Sequence, residues 1–443
     1  MSLGRTLKGL DYPLIMAVVA LVLLGLIMIG SATLEYKDDS FSQFKNLNVL
    51  ARLLHLDYQY VFQQMLWFVL GIFLMGAIAY LPYEDLMKYT RYYYAITLIL
   101  LGTVTIMGHS ALGAQRWIQL GTHTFQPSEF SKFLMIMSFS GFLVKRQGNL
   151  DRFRDLLPCF IYFGIPILFV LMQPDLGTAL VFVFIMFCMM FFAGAKPSIL
   201  LWLLGVGLAL VAGLFFIHLS LHNLDLQQKE QLSLLEQEVR ITANTSAGQE
   251  LNKSYLELAE KNQTTHALHE KLHKYTFKEY QMTRLFIFLN PRSDLLGAGY
   301  HVWQSLIAIG SGGFAGKGLL EGTQSHLTFL PVRHTDFVFS VVGEEFGFIG
   351  ALVILGLFFF VLCRGIQIAT LARDLTGTLL AIGIVSMLFF QVFTNIGMTT
   401  GIMPVTGIPL PFVSYGGSSL LMCMMALGLL LNIYLRRKKF SFK

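Results

Sequence analysis

The sequence predicts an all-α integral membrane protein with about ten transmembrane helices. Of its 443 residues, 55% are hydrophobic and 13% are charged, and the mean hydropathy is +0.63. A soluble domain carries about 25% charged residues, roughly twice this share. Apolar runs of about 18 residues or more recur along the chain, and basic residues gather between alternate runs. Since a segment in lipid must pair its own backbone polar groups, these runs are expected to be helices.

The spans follow from the apolar runs. We place them near residues 12–33, 61–81, 91–108, 127–144, 155–173, 176–194, 198–218, 337–363, 376–399 and 417–435. The first run is longer than the apolar core of a signal peptide, and we interpret it as a retained helix. A cytoplasmic N-terminus puts the basic residues on the inside, in agreement with the positive-inside rule. These residues are Arg5, Lys8, Lys88, Arg91, Lys145, Arg146, Arg152, Arg154, Lys196, Arg364, Arg373 and the run 436–439. An even number of spans returns the basic C-terminus to the cytoplasm.

The predicted organisation has three parts. Residues 1–218 hold the first seven transmembrane helices, and 337–443 hold the last three with the basic cytoplasmic tail. Between them, 219–336 form a large extracytoplasmic loop. Its first portion, 220–280, is charged and has apolar residues at helical spacing, which predicts a helical insertion. Its second portion, 281–336, is rich in glycine and aromatic residues and carries most of the unusual chemistry.

The charge and cysteine content exclude two classes of site. The formal charge of +6 reflects basic residues beside apolar runs, where they set topology, and is not a nucleic-acid signal. The four cysteines lie in or beside apolar segments, without metal-ligand spacing or a paired pattern. We therefore expect no disulfide and no metal-thiolate site.

Ionisable residues at membrane depth are expensive, so they are candidate functional residues. The first cluster holds Arg116, followed by Glu129 and Lys132 in the run QPSEFSK. Glu129 and Lys132 are three residues apart and share a helix face. Two interpretations stay open: a structural ion pair that fixes helix packing, or the polar wall of a substrate cavity in which Arg116 reaches a phosphate.

Two further clusters lie on the same predicted outer side. Asp294 precedes a small-residue turn, with Gln304 further along, and an aspartate in this setting is most often a turn or cap residue. Arg333, His334 and Asp336 directly precede a span, and Asp336 could cap that helix.

A fourth cluster, residues 404–419, includes Ser414 and is dense in helix breakers. Irregular backbone at membrane depth is tolerated where it is buried in protein or lines a wet cavity. All four clusters share the outer side, where their charges would suit an anionic, sugar-bearing lipid. The charged members are Arg116, Lys132, Arg333, Asp294, Glu129 and Asp336.

Several long motifs, in order, resemble the SEDS family (shape, elongation, division and sporulation). They are GAQRWIQLG with QPSEFSK, QPDLGTAL at 173–180, DLLGAGYHVWQS, GTQSHLTFLPVRHTDFVFSVVGEEFG, and NIGMTTGIMPVTGIPLPFVSYGGSSLL. The resemblance covers nearly all predicted spans. QPDLGTAL and the pair Arg333 and His334 resemble the elongation branch of the family more than its division branch.

The resemblance implies a peptidoglycan glycosyltransferase that joins the disaccharide units of lipid II and releases undecaprenyl pyrophosphate. The essential outer-loop aspartate of the family corresponds to Asp294, as general base, although the proline that usually follows it is Leu295 here. Arg116, Lys132 and Arg333 are candidates to stabilise the leaving pyrophosphate, with a divalent cation (Mg or Mn) suggested by the family. The implied partners are a class B penicillin-binding protein, which is a transpeptidase, and other membrane proteins of the elongation complex.

Three other functions compete with this one. A lipid II flippase would also need intramembrane charge and broken helices, but its polar residues should continue through the inner half of the membrane. A scaffold without chemistry would tolerate loss of Asp294. A division or sporulation paralogue would catalyse the same polymerisation in another process.

Overall fold

The computed structural model describes residues 9–34, 58–107, 109–111, 114–120, 123–242, 246–275, 279–290, 299–326 and 332–437. Its helices are α1 (Tyr12–Ala32), α2 (Tyr58–Tyr80), α3 (Tyr83–Leu86), α4 (Thr90–Met107), α5 (Pro127–Val144), α6 (Phe153–Met172), α7 (Leu176–Phe192), α8 (Pro197–Thr242), α9 (Ser246–Tyr275), α10 (Glu279–Leu289), α11 (Tyr300–Gly312), α12 (Thr323–His326), α13 (Val338–Leu371), α14 (Leu375–Thr399) and α15 (Gly417–Leu435). A 3-10 turn (Met87–Tyr89) joins α3 to α4. The strands are β1 (His109–Ala111), β2 (Ala114–Leu120) and β3 (His123–Phe125).

The described helices are those of a membrane protein. Seven of them are long and apolar enough to cross a bilayer, namely α1, α2, α6, α8, α13, α14 and α15. The other predicted spans, 91–108, 127–144 and 176–194, correspond to α4, α5 and α7, which have 17 or 18 residues each. The coarse expectation of a helical membrane protein is therefore confirmed, while the count of ten spans stays a prediction.

The expectation of an all-α fold needs one correction. The three strands form a small antiparallel sheet in the order β1-β2-β3, in which His109 pairs with Trp117 and Ile118 with Phe125. The register shifts between His109 and Ser110. This sheet lies in the segment between α4 and α5. The physical reason is local, since β-branched and aromatic residues such as Ile118 and Trp117 favour pleated structure over helix.

Two helices form the centre of the bundle. Within an apolar stretch of 18 residues in each helix, 89% of the residues of α15 and 78% of those of α14 are buried. Glycines allow close approach of backbones, which is typical of helix packing in membranes. A side chain at Gly428 of α15 would meet the backbone of Met75 in α2 at 2.6 Å. A side chain at Gly25 of α1 would meet the carbonyl oxygen of Val413 at the same distance. The segment before α15 is therefore held against α1.

Helix α13 is broken at Gly347. Its backbone there has φ 61° and ψ −153°, a conformation that essentially only glycine adopts. A Cβ at this position would also lie 2.8 Å from the carbonyl oxygen of Phe314. The break separates a buried first part, which carries Glu344 and Glu345, from a more exposed apolar second part.

Residues 198–285 form a second compact unit. Helix α8 has 46 residues, about 69 Å at the helical rise of about 1.5 Å per residue, so it continues well beyond the predicted span 198–218. Helix α9 follows, and Asn262 of α9 donates a hydrogen bond of 3.1 Å to the carboxylate of Asp225 in α8. The predicted insertion 220–280 is helical wherever it is described. The predicted boundary at 218 lies inside α8 and stays untested as a domain limit.

Candidate active site

The first charged pair lies at the start of α5. Pro127 is the first residue of this helix, a position that suits proline because no backbone donor is lost. One turn on, the ammonium of Lys132 lies 2.6 Å from Oε1 of Glu129, and both side chains are 3% exposed or less. Oε2 of Glu129 has no hydrogen-bond partner among the described residues. A buried carboxylate oxygen without a donor is costly. Both interpretations of the pair, as a packing device or as the wall of a substrate cavity, stay predictions.

Arg116 meets an acidic residue that the sequence analysis did not assign to the site. Its guanidinium extends from β2 and donates to the carbonyl oxygen of Pro174, and it lies 3.6 Å from Oδ1 of Asp175. Asp175 caps α7 by accepting hydrogen bonds from the backbone and the hydroxyl of Thr178, at 3.1 and 2.8 Å. The sequence could have identified this residue, because Asp175 is an acidic residue in QPDLGTAL at the start of an apolar run.

Two irregular segments, 332–337 and 404–416, pack against each other. The hydroxyl of Ser414 donates to the carbonyl oxygen of Thr335 at 2.6 Å. The backbone N–H of Tyr415 donates to the carbonyl oxygen of His334 at 3.0 Å. The His334 ring lies 5.3 Å from the ring of Tyr60 and 5.8 Å from that of Tyr415. The predicted residues Ser414 and His334 therefore come together.

A buried asparagine ties both segments to α14. The side-chain amide of Asn395 donates to the carbonyl oxygens of Asp336 and Ile408, at 3.0 and 2.8 Å. Sequence analysis missed this residue, although an asparagine in an apolar helix is a signal of an internal contact. Asp336 does not cap α13, since Phe337 occupies the N-cap position. Its carboxylate instead approaches Gly407, whose φ is +73°.

Arg333 and Gln304 lie on other elements than Glu129, Lys132 and Arg116. The guanidinium of Arg333 is buried and donates to the carbonyl oxygens of Ala32 and Leu34 at the end of α1. Gln304 is half-buried on α11. Its neighbour Ser305 fixes that helix, with hydrogen bonds to the Ser340 hydroxyl and the Thr399 carbonyl oxygen at 2.6 and 2.7 Å.

Two carboxylates of α13 were also missed. Glu344 is fully buried, and its Oε1 lies 2.7 Å from the ammonium of Lys317. It also accepts backbone hydrogen bonds from Gln324 and Ser325, at 2.8 and 3.0 Å. Glu345, next in the chain, accepts a hydrogen bond from the Ser31 hydroxyl of α1. Adjacent glutamates in an apolar run would have pointed to such an anchor.

Two predictions, the general base and the divalent cation, are not tested by the residues that the structure describes. Asp294, the predicted general base, lies outside the described residues. Within the described ranges, no three His, Cys, Asp or Glu side chains could hold a metal ion. The predicted divalent cation is not tested by this observation, because Mg²⁺ is often held by one or two carboxylates together with substrate phosphates.

The described part of the site lies at one end of the bundle. The start of α5 contacts the start of α15, because the backbone N–H of Gln126 donates to the Ser418 hydroxyl at 3.1 Å. The start of α7 packs on the segment before α15, where a side chain at Gly177 would meet the carbonyl oxygen of Thr406 at 3.1 Å. Residues 12–260 and 263–439 match the family described as cell cycle protein, FtsW/RodA/SpoVE.

The chain belongs to the FtsW/RodA/SpoVE family.

Three relatives illustrate the similarity of the chain to other members of this family. It is 36% identical over 373 residues to the peptidoglycan glycosyltransferase MrdB of Escherichia coli (strain K12), covering 84% of this chain and 85% of MrdB. It is 34% identical to the peptidoglycan glycosyltransferase RodA of Treponema pallidum, with 98% and 99% of the two chains covered. It is 32% identical to the probable peptidoglycan glycosyltransferase FtsW of Geobacter sp. (strain M18), over 98% of this chain and 99% of FtsW.

A solved structure is also similar along the whole chain. It was described for the structural coordination of polymerization and crosslinking by a peptidoglycan synthase complex. The TM-score is 0.67 at 27% identity, covering 96% of this chain and 97% of that one. The resemblance to the SEDS family is thereby confirmed in both sequence and fold.

Proposed function

We propose that the chain is a peptidoglycan glycosyltransferase that polymerises lipid II into glycan strands and releases undecaprenyl pyrophosphate. The family membership supports the reaction, and the observation that carries its location is the buried pair of Glu129 and Lys132 at the start of α5. Such a pair costs free energy in a membrane protein, so its retention favours a functional role.

In the proposed mechanism, Asp294 is the general base. Its carboxylate accepts the proton of the acceptor sugar hydroxyl as that oxygen attacks the anomeric carbon of the donor. The bond between this carbon and the pyrophosphate oxygen breaks, and its electron pair leaves with the undecaprenyl pyrophosphate. The products are a glycan longer by one disaccharide unit and the lipid pyrophosphate.

Two cations are suited to the leaving group. Arg116 and Lys132 each have an acidic partner, Asp175 and Glu129, which holds the cation in position before substrate arrives. A fixed positive charge beside a leaving pyrophosphate stabilises the transition state without reorganisation. Arg333 donates to backbone carbonyls of α1, so we propose it as a positioning residue for the segment that carries His334 and Asp336.

The remaining predicted substrate contacts are Gln304, His334, Asp336 and Ser414. They stay proposals. Those for His334, Asp336 and Ser414 are supported by the hydrogen bonds that hold segments 332–337 and 404–416 together. The divalent cation also stays a prediction. Chelation with EDTA, followed by addition of Mg²⁺ or Mn²⁺, tests whether polymerisation needs the ion.

We further propose a bacterial cytoplasmic membrane location, ten spans with both termini cytoplasmic, and an active site on the outer face. The distribution of basic residues supports this orientation. The role in elongation rests on QPDLGTAL and on Arg333 with His334, and a division or sporulation role is the alternative. A class B penicillin-binding protein is the proposed partner, since the chain resembles part of a complex described for polymerization and crosslinking.

The test is polymerisation of labelled lipid II by the purified protein together with its cognate transpeptidase, comparing wild type with Asp294→Asn. The account predicts glycan ladders from wild type and none from a variant with an unchanged melting temperature. The absence of ladders from both proteins would favour the flippase or the scaffold. Ladders from both would keep the enzyme and remove Asp294 from its mechanism.

A further inference from the structure

A basic cleft lies at the end of α4 and α5 remote from Glu129. Helix α4 begins at Thr90 and α5 ends at Val144, and residues from both ends line a cavity of about 820 Å³. Helix α5 has 18 residues, so this cleft lies about 27 Å along the helix axis from the start of α5. That separation is close to the hydrocarbon thickness of a bilayer, about 30 Å. The cleft is therefore a separate site, at the opposite membrane surface.

The lining of this cleft is cationic. Lys88, Arg91 and Lys145 line it, and none of the ten lining residues is acidic. Lys88 forms an exposed ion pair with Asp85, with 2.6 Å between the ammonium and the carboxylate. Arg91 and Lys145 form no ion pair with any residue in the described ranges. The cleft thus presents positive charge that the described protein does not neutralise, as a site for an anion requires.

The rim of the cleft and the adjoining face of α4 have the character of a membrane interface. Tyr92 lines the cleft and is 66% exposed, with the ring of Tyr89 6.2 Å from its own. Exposed tyrosines are typical of the headgroup level of a bilayer. Further along the same face of α4, Ile96 and Ile99 are 43% and 67% exposed. An apolar track thus leads from the cations toward the membrane interior.

We propose that this cleft binds the anionic phosphate headgroup of a membrane phospholipid, with the acyl chains along α4. Basic pockets between transmembrane helices on the cytoplasmic side are known sites for such headgroups. A soluble phosphate would use the three cations equally well, but it would have no use for Tyr92, Ile96 and Ile99. The exposed apolar track therefore favours a lipid. The proposal is independent of the reaction at the other end of the bundle.

Native mass spectrometry of the full-length protein tests the proposal, with dioleoylphosphatidylglycerol or dioleoylphosphatidylcholine titrated into the detergent solution. The cleft variant is Lys88→Gln/Arg91→Gln/Lys145→Gln. The matched control, Arg154→Gln/Lys196→Gln/Arg373→Gln, removes the same charge from exposed residues outside the cleft. A charge-preserving variant, Lys88→Arg/Arg91→Lys/Lys145→Arg, reports on shape alone.

We expect wild type, the control and the charge-preserving variant to bind phosphatidylglycerol more tightly than phosphatidylcholine. We expect the cleft variant to bind phosphatidylglycerol at least about ten-fold more weakly, given the usual effect of a basic residue near an anionic lipid. Equal weakening in cleft variant and control would overturn the proposal, as would equal binding of the two lipids by wild type. Displacement of phosphatidylglycerol by glycerol phosphate at similar concentration would overturn the lipid assignment.

Discussion

An ion pair in α5 and an ion pair at the opposite end of the helical bundle differ strongly in burial. At the end where α5, α7 and α15 begin, Lys132 and Glu129 form a pair whose side chains are 1% and 3% exposed. At the other end, Lys196 and Asp151 form a pair whose side chains are 56% and 61% exposed, at 3.7 Å. An exposed pair costs little to keep and contributes little, whereas a buried pair carries a large desolvation cost. The buried pair therefore has the larger desolvation cost, which supports the proposal that it is retained for function.

The same substitution at the two ends gives the largest expected contrast in stability. Lys132→Gln leaves Glu129 buried without its cation and is expected to lower the free energy of unfolding by about 3–5 kcal/mol. Lys196→Gln removes the exposed partner of Asp151 and should change it by less than about 1 kcal/mol. Unfolding of both purified variants in the same detergent measures the two values. Similar values would show that burial does not separate the two ends.

The broken part of α13 can be compared with its straight part. Gly347→Ala places a Cβ at positive φ against the backbone around Phe314, and we expect a loss of about 3 kcal/mol. Gly356→Ala, in the same helix, meets nothing within 4 Å and should be neutral or stabilise by up to about 1 kcal/mol. Thermal unfolding of both variants reports the contrast. A neutral Gly347→Ala would contradict the kink.

The smallest expected effects compare two buried asparagines, one near each end of the bundle. Asn395 donates to the carbonyl oxygens of Asp336 and Ile408 near the site. Asn432 donates to the carbonyl oxygens of Ile78 and Leu81 at the opposite end of the bundle. Alanine at either position should cost about 2 kcal/mol, since buried carbonyl groups lose their donor. We expect only Asn395→Ala to reduce polymerisation per folded molecule, measured at a temperature where both variants are folded. An equal reduction by Asn432→Ala would assign the effect to stability alone.

The sequence was sufficient to predict a helical membrane protein, because a long apolar run has one stable form in lipid. It was also sufficient for the pair of Glu129 and Lys132, because their spacing of three fixes them on one helix face. The small sheet β1-β2-β3 was missed. Its signal is the local preference of residues such as Trp117 and Ile118 for pleated structure, which the pattern of apolar runs does not report.

The partners of the charged residues were harder to predict. Arg333 stays a predicted contact of the pyrophosphate. Its hydrogen bonds to backbone carbonyls of α1, an element about 300 positions earlier in the chain, were not predicted. Asp175 and Asn395 were overlooked because each acts through a contact with another element. Contacts of this kind depend on tertiary packing and not on a local pattern.

The central claim is that glycan polymerisation takes place at the end of the bundle that holds the buried pair of Glu129 and Lys132. The most direct measurement is the rate of lipid II polymerisation, with the cognate transpeptidase, by Lys132→Gln and Lys196→Gln at equal concentrations of folded protein. The account predicts that Lys132→Gln loses glycan ladders and that Lys196→Gln produces them at the wild-type rate. Ladders at the wild-type rate from Lys132→Gln would contradict it.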